Sequence, residues 1–411
     1  MVIITSWAPP MIGGPQSFYN LFSQFSSSSY HLVTDSRTMA TGIDPSMWLA
    51  GQYTFIDRPC ASKEDIANQV TGNKQTKTDK LILKMLKIPI LGPLLHLAGL
   101  CRTIRLYLKA AKLIIIKDRP RFLLGISDTG AALIATYLIS HRHRIPYCYY
   151  LYDLYRGNQL PFAEKLVARF CERSLLTRAR YVIVNNEGTA EYYRKRYGEA
   201  IRTKIVYNSI FPKTYERQRQ PYEIQPPYEI IFTGNVGWAQ EESLNNLIRA
   251  ADFLEDLPIS FKFYINKPTA KIIASVARHP NISINYAPYA SMPIIQSRAS
   301  LLFLPLAWNT GGEDIIATAT PGKFTDYLAS GRPILVHAPA YAYISQYVKK
   351  HRLGLVVDKN NTQLLVDTIR YFFKNPSEGQ EYINNALKIF YQNHDAEKNA
   401  NKLKNIFRKY D

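Results

Sequence analysis

The chain has 411 residues, 46% hydrophobic and 20% charged, which is globular composition on a chain too long for one ordinary hydrophobic core. Its net charge of +19 is uneven: residues 1–215 hold 29 Lys and Arg against 14 Asp and Glu, a net of +15, whereas the remainder holds 22 against 18, a net of +4. Two domains are expected, the first meeting an anionic surface of phospholipid or nucleic acid. Met1–Ser6 already reads as a buried strand, so no cleavable secretion signal is expected. The longest nearly apolar run, Ile88–Leu100, has 13 residues and falls short of the roughly 20 that cross a bilayer. Cys60, Cys101, Cys148 and Cys171 form no CxxC pair and read as reduced thiols of a cytoplasmic protein, with no metal-ligand spacing.

Strand-like runs then alternate with helical ones, the signature of a parallel sheet covered on both faces. In the first half, strands are expected near Val2–Ser6, Tyr30–Thr34, Phe122–Ser127, Pro146–Tyr152, Tyr181–Asn185 and Lys204–Tyr207. Phe18, Leu21, Phe22 and Phe25 follow helical spacing after Pro15. Lys80–Arg121 holds ten Lys and Arg and a single acid, Asp118, interleaved with leucines and isoleucines. It reads as a basic amphipathic insertion (about 80–121) suited to anionic lipid. The alternation breaks over Ser209–Tyr228, where four prolines sit among Gln, Arg, Glu and Tyr. The domains are therefore set at 1–212 and 229–377, with a linker at 213–228. A second series of strands follows, near Glu229–Thr233, Ser260–Ile265, Ile282–Tyr286, Leu301–Pro305, Pro333–His337 and Gly354–Val357. Two polar helices over 378–411 close the chain and are expected to cross partly back to the first domain.

The segment from Thr320 to Leu335 is the most informative. It reads as a helix capped by Thr320, with Pro321 in its first turn and Gly331 ending it in left-handed conformation, followed by a buried strand. Lys323 then lies at the positive helix end, which disfavours a cation unless an anion is near. A phosphate there would meet free amides, the close approach that Gly322 permits, and the Lys323 ammonium. Asp326, one turn on, is placed to accept hydrogen bonds from a ribose diol. Ile230–Gly237 reads as a strand entering a Gly-x-x-Gly loop, with Gly234 and Asn235 where ligands bind in open α/β sheets. Tyr149–Arg156 ends a strand with Tyr152, Asp153 and Arg156, and Asp128 stands at another strand end. Either carboxylate is suited to orient a hydroxyl. Thr310–Asp314 is a polar turn offering Glu313.

The run Pro321, Lys323, Asp326, Tyr327, Gly331 resembles the donor-binding element of the GT-B glycosyltransferases, in particular the retaining, family 4-like enzymes of surface-polysaccharide synthesis. Asp326 stands for their usual Glu. Gly13-Gly14 after the first strand is similar to that family's N-terminal glycine pair, which approaches the donor. The blocks Tyr181–Glu187 and Ile205–Asn208 resemble the end of its N-terminal domain. Asn235, Gln240, Glu241 and Glu242 stand where many members carry an Arg and Lys pair. Thr318 stands eight before Asp326 where many have Glu, a role that Glu313 or Asp314 would fill through a longer loop. The resemblance implies two Rossmann-like, doubly wound α/β domains facing a central cleft. It implies a nucleotide-diphosphate-sugar donor as the substrate, no further cofactor and no metal.

The expected function is transfer of a sugar, with retention, to a glycan or lipid-linked acceptor, by a cytoplasmic protein held at the inner face of the membrane. Tyr152 and Arg156 are assigned to the acceptor side, and Asp153, Asp128 and Glu313 to the reacting centre. The departing phosphate oxygen can itself take the acceptor's proton. The alternatives are a GT-B-shaped sugar-nucleotide epimerase and a non-catalytic transferase-like subunit. No helix-turn-helix, RNP-like or zinc-finger pattern supports specific nucleic-acid binding. A dinucleotide oxidoreductase is disfavoured because no GxGxxG follows a strand.

Overall fold

The computed structural model describes residues 1–9, 14–36, 48–57, 88, 91–126 and 130–408. The chain divides into two units, Met1–Tyr207 with Ala400–Asp411, and Asn208–Asn399.

Unit 1 runs β1 (Val2–Thr5), α1 (Gly14–Phe22), β2 (His31–Asp35), β3 (Gln52–Ile56), α2 (Leu91–Asp118), β4 (Leu123–Ile126), α3 (Gly130–His143), β5 (Tyr147–Leu151), α4 (Phe162–Thr177), β6 (Val182–Val184), α5 (Glu187–Tyr197) and β7 (Thr203–Ile205). Its strands make one parallel sheet, ordered β3-β2-β1-β4-β5-β6-β7. β1, β4 and β5 are buried at every position, so helices must cover both faces. β3 was not expected from the sequence. It is an edge strand, exposed at Gln52 and half-buried from Tyr53 to Phe55, and its polar residues mask the pattern of a strand.

The basic insertion expected over 80–121 is, from Leu91 on, no insertion. α2 is the crossover from β3 to β4, which lies on the far side of β1, and a parallel connection of that kind needs a helix. Leu100, Thr103, Tyr107, Ala111 and Ile114 bury one face at helical spacing, and the Tyr107 hydroxyl donates to the Thr5 carbonyl at 3.0 Å. Residues 80–87, 89 and 90 lie outside the described residues.

Unit 2 runs α6 (Pro212–Glu216), β8 (Tyr228–Thr233), α7 (Glu241–Asp252), β9 (Ile259–Tyr264), α8 (Ala270–Val276), β10 (Ile282–Asn285), α9 (Met292–Gln296), β11 (Leu301–Pro305), α10 (Glu313–Thr318), α11 (Gly322–Ala329), β12 (Ile334–His337), α12 (Tyr343–His351), β13 (Gly354–Val357), α13 (Thr362–Lys374) and α14 (Glu378–Ile389). A helix shared by both units, α15 (Ala396–Phe407), follows. The sheet order is β10-β9-β8-β11-β12-β13. The period of two along each strand splits the core into two layers. Ile230, Phe232, Leu301 and Phe303 face α7 and α13, while Ile231, Leu302 and Leu304 face α11, α12 and α14. The topological switch, where open α/β sheets bind ligands, lies between β8 and β11.

The linker expected over 213–228 belongs to unit 2, and the division falls at Tyr207–Asn208. Tyr215 is buried in the core of unit 2, Arg219 donates twice to the Ala329 carbonyl, at 3.2 and 2.8 Å, and Arg332 donates to the carbonyls of Gln220 and Pro221. Proline and glutamine gave this stretch the composition of a linker, but its tyrosine and backbone carbonyls supply buried contacts. α14 also packs in unit 2, through Ala386 and Ile389. Leu403, Ile406 and Phe407 of α15 join the unit 1 core, with Phe407 at 5.0 Å from Phe122 between ring centroids.

Candidate functional site

The site is built at the carboxyl end of β8, where α11 begins. Pro321, not Thr320, is the N-cap residue, and it makes no side-chain cap bond. Thr320 serves through its carbonyl instead, which accepts from Asn208 Nδ2 at 3.2 Å, while the Asn208 carbonyl accepts from Thr325 Oγ1 at 3.3 Å and lies 2.8 Å from His394 Nδ1. The helix start is thus fixed in place while Pro321 supplies no side-chain cap to the amides of Gly322 and Lys323, an arrangement that suits an anion. Gly331 follows the helix with φ of 72°, the left-handed turn expected for it. Gly322 is exposed and faces open space.

Lys323 is partly exposed along its stem, but its Nζ is enclosed and has no hydrogen-bond partner among the described residues. The amine lies 4.0 Å from the centroid of the Phe232 ring and against Gly234. Burial lowers its pKa to about 7, against the pull of the Asp326 carboxylate. Gly234 has φ of 108°, and a Cβ there would sit 3.0 Å from Lys323 Cε and 3.1 Å from Nζ. Glycine is required twice over, by backbone conformation and by the lysine that crosses it.

Asp326 was expected on an open helix face and is instead buried, because α11 turns that face toward α6 and the 3₁₀ turn Tyr289–Ser291. Tyr289 Oη donates to its Oδ1 at 3.2 Å, and the Tyr215 hydroxyl, 2.9 Å from Gln296 Oε1, also interacts with it. Burial raises the Asp326 pKa to about 7, with the two phenols and Lys323 acting the other way. Gln296 Nε2 donates to Thr233 Oγ1 at 3.0 Å, and the Thr233 amide donates to Tyr327 Oη at 3.0 Å. These bonds tie α11 to the end of β8. The tyrosines at 215 and 289 carried no signal in the sequence, since they come from segments remote in the chain.

Gly234, Asn235 and Gly237 are exposed in the loop after β8. Glu242, on the first turn of α7, accepts from the Trp308 and Asn309 amides at 2.7 and 3.2 Å and from Asn360 Nδ2 at 2.8 Å. Burial would raise its pKa, but these donors outweigh it and hold the group below its ordinary value. Glu242 therefore shapes the loop after β11, a part that a simple absence of Arg and Lys did not reveal. Glu313 is exposed at the start of α10, and its Oε1 accepts from the Gly311 amide at 3.2 Å.

In unit 1, Tyr152, Asp153 and Arg156 follow β5 together, with Asp153 exposed and Arg156 half-buried. Asn185 Nδ2 donates to the Tyr152 carbonyl at 3.0 Å. The Arg156 amide donates to Glu172 Oε1 at 2.9 Å, and Tyr197 donates to Glu172 Oε2, so a buried carboxylate on α4 holds this loop. Gly14 begins α1, whereas Gly13 and Asp128 lie outside the described residues.

Residues 85–209 match the model of the glycosyl transferase 4-like domain. No curated protein matches the chain in sequence. Among solved structures, a glycosyltransferase of Rickettsia africae is 11% identical with a TM-score of 0.67, over 100% of this chain and 98% of that one. Sucrose-phosphate synthase of Thermosynechococcus elongatus is 11% identical at a TM-score of 0.69, over 100% and 98%. Anabaena HepE, in complex with UDP-glucose, is 11% identical at 0.67, over 100% of both chains. Two doubly wound parallel sheets and the full-length structural matches give this chain the GT-B fold, and its residues 85–209 are similar to the glycosyl transferase 4-like domain.

Proposed function

We propose that the chain transfers a glycosyl group from a nucleoside-diphosphate sugar, held by unit 2, to a glycan or lipid-linked acceptor in cell-surface polysaccharide synthesis, with retention and without a metal. The carrying observation is the Lys323 amine, enclosed without a hydrogen-bond partner among the described residues, beside Gly234 at the start of α11, where Pro321 supplies no side-chain cap. An unpaired buried amine is costly, and a diphosphate oxygen relieves that cost. Lys323 and the α11 amides would hold the diphosphate and stabilise its growing charge as the sugar leaves. Asp326, enclosed by Tyr215 and Tyr289, keeps a countercharge near Lys323 and so sets its protonation. We assign Gly234 and Asn235 to the donor loop, Glu313 to the sugar, and Asp153, Tyr152 and Arg156 to the acceptor. The UDP-glucose in the HepE structure makes a uridine nucleotide the first to test. Calorimetry with UDP-, GDP-, ADP- and TDP-sugars, followed by product analysis with retention scored by NMR, tests the reading. Binding of none of them would sink it.

A peripheral membrane position is part of this proposal and is supported by the outer faces of α2 and α4, which pack on each other. Leu94, Leu113 and Ile116 are exposed beside Arg102, Arg105, Lys109 and Lys112. Phe162 (68% exposed), Leu166 and Phe170 (81%) form a stripe at a spacing of four, beside Lys165, Arg169 and Arg173. Apolar and cationic groups on one face suit the interface of an anionic bilayer. Sedimentation with vesicles should show binding that rises with anionic lipid and falls with salt; equal binding to neutral vesicles would count against it.

A further inference from the structure

A second concave site lies in unit 1, away from the residues assigned above. It is a pocket of about 400 Å³ lined by Tyr137, Ser140, Arg144, Tyr147, Arg178 and Arg180, with His141 and no carboxylate among its lining residues. It forms where the turn from α3 into β5 meets the turn from α4 into β6, at the amino ends of those strands. Asp153 follows the opposite, carboxyl end of β5. The pocket is therefore separate from the loops that carry chemistry in such sheets.

Of the three arginines, all exposed, Arg178 is held through its side chain and the other two are placed by the backbone. Arg178 donates to the Tyr137 hydroxyl and lies 5.8 Å from the centroid of that ring, which stacks with His141. The Arg180 amide donates to the Tyr147 carbonyl at 2.9 Å. Arg144 takes a left-handed conformation, φ of 55°, as the chain turns into β5. Arg144 and Arg178 each stand one residue past a helix C-terminus, and the helix dipoles account in part for cations there. They do not account for Arg180, which precedes a strand, nor for three guanidinium groups around one concavity. Repulsion among three cations lining one concavity is relieved by an anion with several acceptor oxygens, which guanidinium forks bind in pairs of parallel hydrogen bonds.

We infer that this pocket binds a phosphate dianion, either free or as the monoester headgroup of an anionic lipid, independently of the donor site. The test uses the full chain as wild type, Arg178→Gln, Arg180→Gln and Lys323→Ala, with melting curves to confirm folding of each. Calorimetry with inorganic phosphate is one arm. Sedimentation with phosphatidylcholine vesicles, with and without phosphatidic acid, is the other. Free phosphate is the source if inorganic phosphate binds wild type and Lys323→Ala alike and binds either arginine variant at least roughly tenfold more weakly. A lipid headgroup is the source if inorganic phosphate fails to bind but phosphatidic acid vesicles bind with the same dependence on Arg178 and Arg180. Binding in neither arm, binding that ignores both arginines, or loss only in Lys323→Ala would overturn the inference.

Discussion

The two sheets share the same opening strand order, yet each encloses a charged side chain of a different kind. In unit 1, Glu172 is fully buried on α4, and burial raises its pKa. Both its oxygens accept hydrogen bonds, from the Arg156 amide and from Tyr197. In unit 2, the Lys323 amine is enclosed with an aromatic face and a countercharge but no hydrogen bond among the described residues. A buried charge whose hydrogen bonds are made within the fold is a structural part. One whose donors point at nothing is strained until a ligand arrives. Burial alone does not distinguish the two; the hydrogen-bond inventory does.

Lys323→Ala probes that contrast most strongly. Removing a charge-assisted phosphate contact should weaken nucleoside-diphosphate binding by on the order of 1.5–3 kcal/mol, roughly 10- to 150-fold. The fold should stay intact, because the amine makes no hydrogen bond among the described residues that the variant would lose. Asp153→Asn in unit 1 should leave the same affinity unchanged. Calorimetry on both variants decides the matter, and equal affinities for Lys323→Ala and wild type would break the comparison.

Gly234→Ala should act through the same amine. A Cβ would press on Lys323 Nζ from 3.1 Å in a backbone conformation that L residues rarely adopt. Binding should weaken by roughly tenfold, about 1.4 kcal/mol, and stability should fall by about 1–3 kcal/mol from backbone strain. Denaturant titration measures the second effect independently of the first. A variant that loses neither would show that the loop adjusts freely.

The pH dependence of donor binding sharpens the contrast further. Lys323 must carry its proton to hold a diphosphate, and its pKa is lowered to about 7. Affinity for a nucleotide sugar, whose diphosphate diester does not titrate there, should therefore weaken as pH rises above about 7, approaching at most about tenfold per unit. Binding should take up a proton, seen as a buffer-dependent heat. Asp326→Asn removes the countercharge that supports the ammonium and should move this profile to lower pH. A flat profile in wild type would mean that the amine is already protonated throughout, or does not touch the donor.

The smallest expected effect is structural. Glu242 has a folded pKa below its ordinary value, so it contributes stability above the usual carboxylate range, and that contribution is lost as pH falls through the folded pKa. Glu242→Gln should destabilise the protein by about 1 kcal/mol at neutral pH. The difference between wild type and variant should shrink on acidification. Thermal melts at neutral and acid pH compare them, and a constant difference would refute the electrostatic origin.

Much of this molecule is legible in its sequence, because parallel strands buried on both faces are apolar runs and the helices between them keep a 3.6 period. β8, β11 and β12 stand within a residue of where those runs place them, and Pro321, Lys323 and Gly331 mark a helix start and end by local chemistry alone. Tertiary structure decided what local pattern cannot carry. Gln52–Ile56 pairs as an edge strand only because β2 offers it a partner. The proline-rich stretch after Asn208 packs into unit 2 because Tyr215 and the carbonyls of Ala329, Gln220 and Pro221 meet partners far along the chain. The three-residue spacing of Lys323 and Asp326 shows that they share a helix face, but which face is enclosed depends on Phe232, Tyr215 and Tyr289, each from another element. Burial is a property of the assembled layers, and burial turns an ordinary lysine and aspartate into a pair poised near neutrality.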